Sequence, residues 1–126
     1  MATRVIDIQL QRGDTYYFDF TVTGLTPTLD ECLIWFTAKN NLTDVDDDAV
    51  IRKTLGAGIE TTGDAAGTLT FEPDDTAAIV PPTGVNDPNW AAELFYDMQI
   101  KTPADEIFTI LKGRVLVSMD ITQAVA

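Results

Sequence analysis

Asp44, Asp46, Asp47 and Asp48 crowd into one short stretch. Carboxylates at that density are this chain's nearest approach to a site for a hard cation such as Ca²⁺, which takes several oxygen ligands. An EF-hand loop starting at Asp44 needs glycine at its sixth position and glutamate at its twelfth. Those positions hold Ala49 and Leu55, so the motif fails and a solvated acidic loop is expected. Asp46 with Asp48 can also be read as a glycosidase pair, but such carboxylates must flank a cleft about 5 to 10 Å apart, and the sequence gives no sign of a cleft. The chain has no histidine, which removes the commonest general base and metal ligand. The single serine, Ser118, falls on the outer side of an expected strand with no base in its phrase. The single cysteine, Cys32, has no activating neighbours and reads as a buried, inert thiol. No glycine-rich phosphate loop is present. The expectation is a protein with no catalytic residue, no metal and no cofactor.

Two further motifs concern binding. Arg12-Gly13-Asp14 is the tripeptide that integrins read in other proteins, yet Gly-Asp between two strands is also what a turn requires, and the turn is the expected use. Trp90 lies in a stretch rich in proline and asparagine, where an aromatic either folds back as a lid or stays available to a partner. Pro82, Asn86, Asp87, Asn89 and Trp90 are therefore the candidate partner-binding residues. The same group can be read as a sugar platform, which would make the chain a carbohydrate-binding module recognising a host surface.

The composition narrows the partners. Twenty acids against eight bases give a net charge of −12. Nucleic-acid binding relies on Lys and Arg to neutralise phosphates, and anionic membranes call for the same residues, so neither is expected. No apolar run approaches the roughly 20 residues that cross a bilayer. The first residues lack a signal-peptide pattern, so synthesis in a cytoplasm is expected. With 126 residues and 45% hydrophobic content, one domain over 1–126 with its own core is expected.

Alternation with a period of two runs through the chain. Ile6, Ile8 and Leu10 share one face of a first strand over 5–11. In the second, Tyr16, Phe18, Phe20 and Val22 oppose Tyr17, Asp19, Thr21 and Thr23. Residues 32–39 form a strand apolar on both faces, the look of one buried on both sides or covered by a neighbouring chain. Short strands follow at 49–55, 59–61 and 68–71, with Arg52 and Lys53 as polar edges. One helical turn over 74–79 has Asp74 as its expected N-cap. Then come 81–92 as the longest irregular stretch, a strand over 94–101 with Leu94, Tyr96, Met98 and Ile100 inward, and a hairpin at 103–106. In the final strand or strand pair, 107–121, Val115, Val117, Met119 and Ile121 face in and Gly113 marks a bulge or bend. The expected core contains Phe18, Phe20, Ile34, Phe71, Tyr96, Met98, Val115 and Val117. Seven or eight short strands with one helical turn predict an all-β fold, an antiparallel sandwich or barrel.

A set of phrases in fixed order adds a resemblance. They are Arg12-Gly13-Asp14-Thr15, Ile34-Trp35-Phe36-Thr37-Ala38-Lys39, Asp46 to Thr54, Gly58-Ile59, Glu72-Pro73-Asp74-Asp75-Thr76-Ala77, Tyr96 to Lys101, Lys112-Gly113-Arg114-Val115 and Asp120-Ile121-Thr122. Together they resemble small bacteriophage β-sandwich proteins akin to the N-terminal domain of phage baseplate upper proteins, over nearly the whole chain. The resemblance implies an immunoglobulin-like sandwich in a virion: a non-enzymatic attachment or adaptor module of a tail, baseplate or fibre, present in a symmetric multi-copy assembly with other virion proteins. Head decoration or a head-fibre anchor is the neighbouring alternative. Members of that family pass quickly from the helical turn to the Tyr-Asp strand, whereas here Pro81 to Trp90 intervenes.

Overall fold

A computed structural model describes residues 3–119. Its strands are β1 (Arg4–Val5), β2 (Ile8–Gln11), β3 (Tyr16–Thr21), β4 (Leu33–Lys39), β5 (Ile51–Leu55), β6 (Gly58–Gly63), β7 (Ala66–Phe71), β8 (Ala91–Lys101) and β9 (Ile107–Ser118). Single 3₁₀ turns stand at Leu29–Glu31 and Asp46–Asp48, and the one-turn helix α1 spans Pro73–Thr76. Hydrogen bonding runs continuously in the order β1-β9-β8-β4-β5-β6-β7-β3, with β2 also on β9. The path folds over where β5 passes to β6 through Gly56 and Ala57, after a register of only two residue pairs. A front layer of β5, β4, β8, β9 and the N-terminal strands thus faces a back layer of β6, β7 and β3. Phe36 of β4 meets Phe71 of β7 edge-on at 5.5 Å, which places the core between the layers. The fold is an all-β immunoglobulin-like sandwich.

Alternation drives this arrangement, because every second side chain must leave water for the strand to gain from packing. Ile34, Phe36 and Ala38 on β4, Leu94, Tyr96, Met98 and Ile100 on β8, and Val115 and Val117 on β9 are all buried, as are Leu69 and Phe71 on β7. On β3 the parity is as expected but burial is graded: Phe20 is buried, Phe18 only partly, and Tyr16 is 39% exposed. This strand ends the hydrogen-bonded path, so its early residues overhang the core, and Tyr16 rests on Phe71 at 6.3 Å. Ile121, also expected to face in, lies outside the described residues.

The N-terminal run is not one strand. Ile6 and Asp7 interrupt it, and both pieces pair with β9 in parallel; sequence patterning predicts an antiparallel arrangement throughout and one strand fewer. Gly113 makes this crossing possible: a Cβ there would lie 2.3 Å from the Ile6 carbonyl oxygen, and its φ of +155° is one that side-chain-bearing residues rarely adopt. Three contacts then hold the break in place. The Tyr96 hydroxyl donates to the Ile6 carbonyl at 2.6 Å, the Arg114 backbone N–H donates to Asp7 Oδ1 at 3.1 Å, and the Arg114 guanidinium donates to Asp7 Oδ2 at 2.9 Å. Gly113 is therefore a crossing point and not a bulge. The register shift of the β8–β9 pair falls earlier, where Met98 faces Leu111 but Gln99 faces Thr109. Ile110 is the extra residue, and Ile110 and Leu111 are both buried. That shift decides which residues of β9 point outward beyond it.

Two other expectations change. Lys53 faces inward, nearly buried, and pairs with Asp75 at 2.7 Å instead of forming a polar edge. Asp75 also accepts the Glu72 N–H at 2.7 Å, so Glu72 is the N-cap of α1 and Pro73 its first helical residue, and Asp74 is not the cap.

Candidate functional site

The outward side chains of the front layer fall into rows set by strand register. Leu33, Lys101 and Ile107 lie side by side across β4, β8 and β9. Next come Thr54, Trp35, Gln99 and Thr109, then Arg52, Thr37, Asp97 and Lys112, then Lys39, Phe95 and Arg114. Trp35 and Phe95 are half-buried, while Leu33, Ile107 and the nearby loop residue Leu42 are 57%, 59% and 75% exposed. Trp35, Thr37, Leu42, Phe95, Gln99 and Ile107 contribute to a shallow concavity of about 620 Å³. The 40–48 loop reaches this face through Leu42 and Asp46, while Leu33 and Ile107 remain open to solvent.

Basic residues gather on the same face. Lys39, Arg52, Lys101, Lys112 and Arg114 are five of the chain's eight bases, and only Glu93 and Asp97 oppose them on these strands. Asp7, Asp46 and Asp105 reach these bases from adjoining segments and, with Glu93 and Asp97, balance all five, so the face is neutral within a chain of −12. Several bases have local carboxylates: Lys39 with Asp46 at 2.8 Å, Lys101 with Asp105 at 3.5 Å, Arg114 with Asp7 at 2.9 Å and Glu93 at 3.3 Å. Asp46 and Asp105 are largely solvent-exposed, and exposed pairs of this kind contribute at most about 1 kcal/mol. Lys112 has no ion-pair partner among the described residues.

Asp97 sits in the middle of the face. Burial pushes its carboxyl above the ordinary value, Lys39 counters this, and Asp46 adds to it. Gln99 Nε2 donates to Asp97 Oδ2 and to Thr109 Oγ1, both at 3.4 Å. At the sheet edge the balance reverses, where the Arg114 side chain and then its backbone N–H hold Asp7 below its usual range. The Tyr96 phenol, buried and near Asp7, is pushed up to about 12 and stays a neutral donor to Ile6.

The residues singled out in the sequence lie elsewhere. Pro82, Asn86, Asp87, Asn89 and Trp90 occupy the connection from α1 to β8, and none lines the concavity. Trp90 is half-buried. Asp87 organises its own turn, accepting the Asn89 N–H on its side chain at 2.9 Å and the Trp90 N–H on its carbonyl at 3.0 Å. Arg12-Gly13-Asp14 is a turn clamped to the helical segment: Arg12 donates to the Ala77 carbonyl at 2.5 Å and the Gly13 N–H to Thr76 Oγ1 at 2.8 Å. In the acidic loop, Asp44 accepts the Asn41 N–H on its side chain and Lys39 Nζ on its carbonyl; the Asp47 side chain lies outside the described residues. Cys32 is buried, its thiol donating to the Thr28 carbonyl at 3.5 Å, and burial followed by Glu31 raises its pKa. Sequence reading missed the front face, although one signal pointed to it: residues 32–39 are apolar on both sides.

No family model and no curated protein matches the chain. Among solved structures, it is similar to the extracellular domains of the voltage-gated sodium channel beta4 subunit, described as parallel homodimers with a role in cell–cell adhesion. That likeness has 12% identity over 96% of this chain and 97% of the other, with a TM-score of 0.45. A second likeness, to voltage-gated sodium channel beta subunits studied for multimeric cell-adhesive interactions, has 9% identity over 94% and 93%, with a TM-score of 0.43. At these values no residue-level correspondence carries over.

The expected role as a bacteriophage tail, baseplate or head component does not hold, because the channel beta-subunit domains that span this chain are adhesive and neither is a virion protein. The phrases behind that expectation serve general needs of a β-sandwich. Gly13 makes a turn, residues 34–39 alternate within β4, Glu72 to Thr76 start a helical turn, and Gly113 clears a strand crossing.

Proposed function

We propose that this protein is a non-catalytic binding module that engages a protein partner through the outer face of the β5–β4–β8–β9 layer. One observation carries the reading: a shallow concavity on a hydrogen-bonded sheet, with Trp35, Phe95, Leu42 and Ile107 in its lining and Leu33 exposed beside it. Tryptophan and other large apolar groups set among polar ones are what protein interfaces concentrate at their centres. A catalytic role lacks its parts. There is no histidine, and the one thiol is buried with a raised pKa, the opposite of an activated nucleophile.

The test uses a photo-crosslinking amino acid at Thr37 on the front face and, separately, at Thr68 on the back layer, in cells that produce the protein. Crosslinks from Thr37 to one protein, lost with Trp35→Ala, are expected, with none from Thr68. Crosslinks confined to Thr68 would overturn the assignment.

A further inference from the structure

Resting on that reading, we infer that the protein partner on this face is a second copy of this chain, the two front layers packing face to face about a two-fold axis. The distribution of charge is the first ground. The five bases and five carboxylates of the face cancel, so the whole net charge of −12 lies on the rest of the chain. The back layer shows the contrast: β3, β6 and β7 hold Asp19 and Glu60 and no base. Two copies of an acidic chain repel where acidic surfaces meet, so the neutral face is where a like molecule approaches at least electrostatic cost. A basic partner of another kind is drawn to the acidic surfaces instead.

The rows supply the second ground, which is self-complementarity. A two-fold interface sets one patch against itself, so each residue must suit its symmetry mate. The axis that fits crosses the strands midway between the Trp35–Gln99 row and the Thr37–Asp97 row. Trp35 then lies over Thr37 of the second copy, and Gln99 over Asp97 of the second copy, an amide donor against a carboxylate. At the outer positions of the same rows, Arg52 comes opposite Thr54 and Lys112 opposite Thr109. One row further out, Phe95 meets Lys101, a cation against an aromatic face. Within these four rows no charge meets its own sign, and the local ion pairs of Lys39, Lys101 and Arg114 stay intact.

Apolar area is the third. Leu33 and Ile107 are exposed, and the same axis lays them on the aliphatic stems of Lys39 and Arg114, so both sides gain from burial. Four strands about 4.8 Å apart and four rows about 6.6 Å apart span about 500 Å² per copy before side-chain relief is counted. That area is at the low end for a specific interface, so a dimer of micromolar affinity is expected.

Sedimentation equilibrium on the full chain tests the inference, and crosslinking at Thr37 separates it from the reading beneath it. Wild type is expected to reach the mass of two chains as concentration rises, and crosslinks from Thr37 to join two copies. Trp35→Ala, its folding checked by circular dichroism, should weaken association by about 30-fold or more. Thr37→Glu should abolish it, because two new carboxylates come close to the axis, whereas Thr68→Glu on the back layer should leave it unchanged. Association should strengthen as salt rises from about 0.01 to 0.15 M, since shortening the Debye length from about 30 to 8 Å screens the repulsion between two chains of −12. Association that weakened with salt would overturn the neutral-face pairing, because opposite charges would then hold the copies. A chain monomeric up to millimolar concentration would overturn the second copy: crosslinks from Thr37 to a different protein would then leave the face standing, and no crosslinks at all would overturn both. Dimers kept by Thr37→Glu and lost with Thr68→Glu would also overturn the inference, by moving the contact to the back layer.

Discussion

The two tryptophans occupy opposite kinds of place. Trp35 stands on a strand held by β5 on one side and β8 on the other, in a register that fixes its neighbours as Thr54 and Gln99. Trp90 ends the irregular stretch 81–90, whose described hydrogen bonds stay within its own turns. A binding face needs side chains held in place before the partner arrives, since ordering them afterwards costs affinity. The sheet supplies that order around Trp35, whereas the prolines of residues 81–90 restrict only their own backbone. Composition directs attention to the loop; register directs it to the sheet.

The largest expected effect breaks the ordered side of this comparison from beneath. Phe36 lies under the front face, stacked on Tyr96 at 5.1 Å and edge-on to Phe71. Phe36→Ala should cost about 3–5 kcal/mol of stability, read by urea denaturation, whereas a change confined to the 81–90 connection should cost far less. Next in size is Gly113→Ala. The added methyl would meet the Ile6 carbonyl in a backbone conformation unfavourable to side chains, and a loss of about 1–3 kcal/mol is expected. Increased amide exchange around Ile6 and Ile8 should accompany it. An unchanged midpoint would mean that the N-terminal crossing is not held as described.

Smaller effects come from the two aspartates with opposed shifts. Burial raises the Asp97 carboxyl above 3.8, so the folded state binds that proton more tightly than the unfolded chain. The stability this contributes is present below the unfolded pKa and lost as pH rises through the folded one. At neutral pH the ionised group is therefore a cost, and Asp97→Asn should raise the thermal midpoint, with the gain shrinking as the solution is acidified. A carboxylate kept at such a position fits a face shaped for binding over stability. Asp7 works the other way: Arg114 lowers its pKa, so its contribution is present at neutral pH and lost on acidification. Asp7→Asn should lower the midpoint slightly at neutral pH and leave it unchanged in acid.

Much of the sandwich was legible because alternation is a local signal. The inward sets on β8 and on β9 beyond Gly113 follow from side-chain type at every second residue, whereas β4 is apolar on both faces. What escaped depends on partners distant in the chain. The parallel pairing of β1 and β2 with β9 rests on Gly113 meeting Ile6, residues far apart in sequence. Lys53 reads as an edge residue until Asp75 is placed beside it. The bulge at Ile110 leaves no composition mark, since Ile110 and Leu111 look like two consecutive strand residues, yet it turns Lys112 and Arg114 outward. The charged face was therefore invisible as a unit: its five bases come from four strands spread over residues 39 to 114. Trp90 was visible for the opposite reason, because a tryptophan among prolines and asparagines stands out in a single phrase.

The most direct measurement compares the two tryptophans in binding. With the protein recovered by crosslinking at Thr37, calorimetry on wild type, Trp35→Ala and Trp90→Ala gives three affinities. The account predicts that Trp35→Ala weakens binding by about 30-fold or more, the loss of about 2 kcal/mol expected at an interface hot spot, and that Trp90→Ala stays within about twofold. A large loss for Trp90→Ala beside an unchanged Trp35→Ala would contradict it.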